Sequence, residues 1–179
     1  AFPEIQMENH GKGADVYSND ITTRMVNYIK ETVQGVYGGG KIAYRFIQGD
    51  KSRPEFGNYN TDISKYLLGW VMGGEISPHA VYQTNKNYTK TFNYTGEFVS
   101  ITNGTRFEMW IAEMLNVLAT ESIRFNKIAP ISQTNWVTLD GLYNPIEARH
   151  NPGGSYSSEE DWQEYDQTKI TVDTTAGFF

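Results

Sequence analysis

Cysteine is absent from all 179 residues, which excludes disulfides, thiolate nucleophiles, Cys-based zinc sites and iron–sulfur clusters. Positive charge is also scarce: 15 Lys and Arg face 21 Asp and Glu, for a formal net charge of −6. A nucleic-acid polyanion needs a concentrated basic surface to displace its counterions, so DNA and RNA are not expected partners. Long apolar runs are missing too. The best of them, Tyr66 to Gly74, is bounded by Lys65 and Glu75 and is less than half the roughly 20 residues a membrane helix needs, so no membrane span is expected. The opening residues Ala1-Phe2-Pro3-Glu4-Ile5 have neither the basic start nor the apolar core of a secretion signal, so location has to be inferred from other features.

Several familiar constellations fail on a single residue. His10, His79 and His150 stand far apart with no H-E-x-x-H pair, and no G-x-S-x-G elbow occurs, leaving no zinc ligand set and no serine-hydrolase signal. Gly35 to Lys41 has the spacing G-x-x-x-x-G-K, but Ile42 stands where a magnesium-binding hydroxyl is required, and the order is helix then strand rather than the reverse. Asn58, Asn60 and Asp62 alternate as calcium ligands do, yet no bidentate Glu follows at the needed distance, and they read as turn formers. No cofactor or metal is expected.

What is present is 39% hydrophobic residues, with aromatics at 14% of the chain, enough for one core and one domain over residues 1–179. Asn19 or Asp20 can cap a helix running to about Gln34, with Ile21, Met25, Ile29 and Val33 on one face and the Gly38-Gly39-Gly40 run ending the segment. Lys41 to Ile47 reads as a strand, Gln48 to Asn60 as a loop, and Thr61 to Tyr66 as one helical turn. Leu67 to Gly74 is a continuously apolar strand of the kind covered on both faces in a parallel sheet. A polar stretch of roughly 30 residues leads to the clearest helix, Thr105 to about Asn126, with a Thr105/Glu108 capping box and an apolar face of Phe107, Trp110, Ile111, Met114, Leu115 and Leu118. Ile131 to Trp136 reads as a third strand and Val137 to Gln167 as a long loop with a short helix near Glu159 to Tyr165. Lys169 to Val172 reads as a fourth strand, and Gly177-Phe178-Phe179 as the start of a fifth.

Helices alternating with strands, with no hairpin signal, give an α/β fold class of parallel βα units, hence an open doubly wound sheet or a barrel. A complete (β/α)₈ TIM barrel needs about 250 residues. The expectation is therefore part of a larger barrel, completed by further chain or by a partner.

In such an architecture the carboxyl ends of strands face the ligand. Glu75 follows a wholly apolar strand, where burial can raise its pKa and a substrate can reach it, which suits general acid chemistry. The plainer alternative is a Glu that caps the next turn or pairs with an Arg. Asn135 and Trp136, with Thr138 and Asp140 beyond, add amide, hydroxyl and indole groups to the same face, a combination suited to a carbohydrate. A Trp at such a position is still more often a core residue than a sugar platform. Asn87-Tyr88-Thr89, Asn93-Tyr94-Thr95 and Asn103-Gly104-Thr105 are glycosylation acceptor patterns, and they hint at an extracellular or cell-surface glycoprotein.

Trp70-Val71-Met72-Gly73-Gly74-Glu75 resembles the W-x-x-G-N-E that ends the fourth strand of (β/α)₈ glycoside hydrolases of the β-galactosidase and β-glucuronidase type. Further blocks, Asp62 to Tyr66, Arg106 to Met114, and Ile131 to Leu142 followed by Pro145-Ile146-Glu147, look like glycoside-hydrolase-like barrel proteins with a T-N-W-x-T-x-D-x-L segment. The resemblance covers about Gly35 to Asp173. It implies a proton-donor role for Glu75, sugar contacts for Asn135 and Trp136, and a supporting polar role for Asp140. The motif's Asn, which in the family contacts the sugar hydroxyl beside the reacting carbon, is Gly74 here. The family's nucleophile ends the seventh strand; if Lys169 to Val172 is that strand, Asp173 is the candidate, and otherwise it lies beyond Phe179. The resemblance thus implies a carbohydrate-active protein, either a glycoside hydrolase or a non-catalytic carbohydrate-binding or cell-surface module. A small α/β domain with no sugar role is the third possibility.

Overall fold

The computed structural model describes residues 8–9, 12–18, 20–42, 57–73, 76, 78–134, 139–140, 163–164 and 166–178. In chain order the elements are β1 (Glu8–Asn9), β2 (Lys12–Gly13), α1 (Ile21–Val36), β3 (Gly40–Ile42), β4 (Gly57–Tyr59), β5 (Trp70–Met72), α2 (Pro78–Asn85), β6 (Phe92–Thr95), β7 (Val99–Gly104), α3 (Arg106–Arg124), β8 (Ile131–Gln133), β9 (Leu139–Asp140), β10 (Gln163–Glu164) and β11 (Ile170–Val172). Single 3-10 turns lie at Ser64–Tyr66, Gln167–Lys169 and Thr174–Ala176.

The two long helices form where the apolar spacing puts them. In α1, Ile21, Met25, Ile29 and Val33 are buried. Asp20 precedes the helix in the left-handed region at φ 63 and makes no side-chain cap, so α1 is held by its buried face. In α3 the capping box is complete: Thr105 Oγ1 accepts from the Glu108 N–H at 3.2 Å, and Glu108 Oε2 accepts from the Thr105 N–H at 2.7 Å. Phe107, Trp110, Ile111, Met114, Leu115 and Leu118 are all buried.

The helices run in the same direction. Near their amino ends the Trp110 indole N–H donates to Thr22 Oγ1 at 3.0 Å; just past their carboxyl ends the Tyr37 and Phe125 rings meet at 5.6 Å between centroids. Trp70, the first residue of β5, donates its indole N–H to the Tyr37 hydroxyl at 3.1 Å. β8 begins seven residues after α3 ends and pairs parallel with β5, Trp70 with Ile131 and Met72 with Gln133. Both strands therefore start near the carboxyl ends of α1 and α3.

The other sheets correct the expected architecture. β11, β7 and β6 form an antiparallel three-stranded sheet, and β3 pairs antiparallel with β4. The described residues form a small mixed α/β fold with three helices and short strands in antiparallel and parallel sheets, not the expected part of a TIM (β/α)₈ barrel built of parallel βα units. The physical reason lies in the polar stretch after β5, which holds both α2 and a hairpin. Val99 and Ile101 alternate inward, while the Asn116 side chain on α3 accepts from the N–H groups of Phe98 and Val99 at 2.9 and 3.2 Å and fixes the turn. Hairpin and helix thus bury one face against each other.

Smaller differences follow from pairing between distant segments. Gly57–Tyr59, expected to be loop, becomes a strand by pairing with Gly40–Ile42. Gln163–Glu164, expected in a short helix, pairs parallel with Leu139–Asp140. Phe178 starts no strand; it is fully buried against Phe98 at 5.3 Å between centroids. Among the described residues no helix is long and apolar enough to cross a membrane.

Candidate functional site

The carboxyl ends of β5 and β8 lie side by side, Met72 paired with Gln133. The Thr134 N–H donates to the Met72 carbonyl at 3.0 Å, extending the pairing one step beyond the strands. Gly73 follows Met72 at φ 88, a backbone conformation glycine adopts without strain. Glu75 stands three residues after Met72, and Asn135 and Trp136 stand two and three after Gln133. Glu75, Asn135 and Trp136 lie outside the described residues. Asp140 ends β9, paired with Glu164 of β10.

Around the start of α3 the structure gathers a polar cluster that sequence reasoning missed. The segment before α1 is tied down by the Val16 N–H donating to Thr84 Oγ1 of α2 at 3.0 Å and by the Tyr17 N–H donating to Asp15 Oδ1 at 2.9 Å. This places the Tyr17 hydroxyl where it donates to Glu113 Oε2 on α3 at 3.1 Å. The Arg106 guanidinium lies over the Tyr17 ring at 4.4 Å and over the Tyr88 ring at 4.1 Å. Asp15 Oδ2 approaches Arg106 Nη2 at 3.7 Å.

The electrostatics of the cluster follow from burial. Burial pushes the Glu113 carboxyl above the ordinary carboxylate range, opposed by the Tyr17 hydrogen bond and the Arg106 charge. The Tyr17 phenol is raised well beyond its ordinary value, first by burial and then by the Glu113 charge. Tyr94 is raised by the same two causes in the same order. Glu113 is thus a half-buried carboxyl facing two phenols and a guanidinium, arranged to hold a proton more readily than a surface glutamate. The only signal in sequence was the aromatic and charged composition of three separate segments, and Tyr17 and Glu113 are 96 positions apart.

Other candidates have structural partners. The Asp173 carboxylate caps the following turn, accepting from the Thr175 N–H at 2.8 Å and from its hydroxyl at 2.6 Å. Asp62 accepts from the Ser64 N–H at 2.8 Å and pairs with the Lys127 ammonium at 2.8 Å. Among the described residues no group of three or more His, Asp or Glu side chains is arranged to hold a metal ion. Of the glycosylation acceptor patterns, Asn87 and Thr89 are exposed, whereas Asn93 Oδ1 accepts from the Asn103 N–H at 2.8 Å and Thr105 is the α3 cap. No family model, curated protein or solved structure matches the chain.

Proposed function

We propose that this chain is a carbohydrate-active protein that takes a glycan at the carboxyl ends of β5 and β8, with Glu75 as general acid/base in glycosidic cleavage. The observation supporting the reading is the parallel register of Met72 with Gln133. It brings to one end of the fold the two strands after which the sequence supplies a carboxylate, Glu75, and the pair Asn135 and Trp136. A carboxylic acid gives the leaving oxygen its proton, while an amide and an indole suit a sugar's hydroxyls and apolar face. Asp140 is the supporting polar group of this reading. The three glycosylation acceptor patterns are its support for an extracellular or cell-surface location.

General acid catalysis contributes roughly 10²- to 10⁴-fold to such reactions. Glu75→Gln should therefore lower turnover of aryl glycosides by about that factor while the thermal unfolding curve stays in place. Turnover equal to that of the unmodified chain would overturn the assignment. A second reading, a non-catalytic glycan-binding module, is favoured by Gly74 in the position of the motif's sugar-contacting Asn. Binding without hydrolysis across aryl glycosides and polysaccharides would select it.

A further inference from the structure

An arginine presents five N–H donors in one plane, and in folded proteins these usually meet carboxylates or carbonyls. Arg106, the first residue of α3, departs from this. Its Nε is buried without a hydrogen-bond partner. The nearest carboxylate oxygen, Asp15 Oδ2, is 3.7 Å from Nη2, beyond hydrogen-bond reach. The guanidinium is held instead by its faces, between the rings of Tyr17 and Tyr88. Clamping the faces fixes the plane, and with Nε buried the donors left for a ligand are those of the terminal nitrogens, on a side chain that keeps 20% of its surface exposed.

We infer that Arg106 and Asp15, framed by Tyr17 and Tyr88, form a subsite for an uncharged sugar residue. The inference rests on the glycan reading above and names the sugar class. Two neighbouring hydroxyls of a sugar accept from a guanidinium edge and donate to a carboxylate, which matches the donor of Arg106 beside the acceptor of Asp15. Tyr88, 37% exposed with the Arg106 guanidinium over its ring, borders the site and holds the guanidinium in place. An acidic sugar fits less well. Its carboxylate would approach a single arginine already faced by Asp15 and Glu113, on a chain of net charge −6, so like-charge repulsion opposes it.

The test is calorimetric titration of the full chain with neutral oligosaccharides of glucose, galactose and mannose and, separately, with uronate oligosaccharides. We expect a neutral sugar to bind at least about tenfold more tightly than its uronate counterpart, and Arg106→Gln and Tyr88→Ala each to weaken neutral binding by about tenfold or more. Should Arg106→Gln unfold the chain, Tyr88→Ala carries the test, because that ring is partly exposed. Neutral binding unchanged in the folded variants, or uronates binding more tightly, overturns the subsite. If Glu75→Gln abolishes turnover while Arg106→Gln and Tyr88→Ala leave affinity untouched, the subsite fails and the glycan reading stands. If no oligosaccharide of either class binds the unmodified chain, both fail.

Discussion

The Lys169 ammonium lies 3.2 Å from Glu108 Oε2 and so joins the first turn of α3 to the segment that enters β11. Glu108 is only 1% exposed, and its carboxylate also accepts from the Thr105 N–H at 2.7 Å and the Asp166 N–H at 2.6 Å. One side chain therefore caps a helix, anchors a turn 58 positions away and neutralises a lysine. A carboxylate can be buried this deeply because every direction it faces holds a donor.

Glu108→Gln tests that arrangement. The amide replaces one acceptor with a donor aimed at a backbone N–H and leaves Lys169 without a counter-charge. The expected loss is about 2–4 kcal/mol by urea denaturation. Lys169→Met leaves the buried Glu108 carboxylate without its counter-charge and should cost a comparable amount, about 2–4 kcal/mol. A loss near zero for Lys169→Met would show that the backbone donors, and not the salt bridge, compensate the buried charge.

Glu113 should respond to the same substitution in the opposite direction. Its folded pKa is raised, with burial as the leading cause, so the linked stability is fully present below the unfolded carboxyl pKa and declines as pH rises through the folded value. Glu113→Gln removes the buried charge and keeps an acceptor for the Tyr17 hydroxyl. At pH 7 the variant should melt at a higher temperature than the unmodified chain, with the gap closing below the carboxylate range. A gap that is constant with pH would show that ionisation of Glu113 does not limit stability.

How much of this was readable in advance depends on the distance over which each feature is decided. Helix α3 was legible because Thr105, Glu108 and the spacing from Phe107 to Leu118 all lie within one segment, and the apolar run containing Trp70–Met72 announced a strand by itself. The antiparallel sheet was not legible, since Phe92–Thr95 is rich in Asn and Thr and its turn is fixed by Asn116, an acceptor 18 and 17 positions from the N–H groups it binds. Without that hairpin, alternating helices and strands read as parallel units and led to a barrel. The Tyr17, Arg106 and Glu113 cluster was hidden for the same reason, because nothing local distinguishes a tyrosine that will meet a glutamate on a distant helix. Glu75, Asn135 and Trp136 were singled out by local position after apolar strands. The parallel register of those strands is the part of that reasoning with a structural counterpart.

Tyr37 and Trp70 supply a further test. Both are buried, at 6% exposure each, and the indole N–H donates to the phenol oxygen at 3.1 Å. Tyr37→Phe keeps the ring contacts and removes the oxygen that accepts this hydrogen bond, stranding a buried donor. The expected destabilisation is about 1–3 kcal/mol, read from denaturant melts. A loss near zero would mean that the indole finds another acceptor once the hydroxyl is gone.

Gly38 tests the junction between α1 and β3. Its φ of +72 lies in the left-handed region, and an added Cβ would stand 2.7 Å from the Asp62 backbone nitrogen and 2.9 Å from the Thr61 carbonyl carbon. Both neighbours are backbone, so neither can turn aside as a flexible side chain does. Asp62 is also fixed on three sides, by its bridge to Tyr37, the Ser64 N–H and the Lys127 ammonium. Gly38→Ala should therefore cost more than the conformational strain alone, which is about 1 kcal/mol or somewhat more for a left-handed alanine, because relief of the clash must open the Tyr37–Asp62 bridge. Gly39→Ala is the informative comparison. There the nearest atoms belong to the side chains of Gln34 and Phe125, which can rotate, and no positive φ is involved. The alanine at position 38 should lower the melting temperature more than the alanine at 39; the reverse order would place the rigidity of this junction in the Phe125 packing and not in the backbone approach.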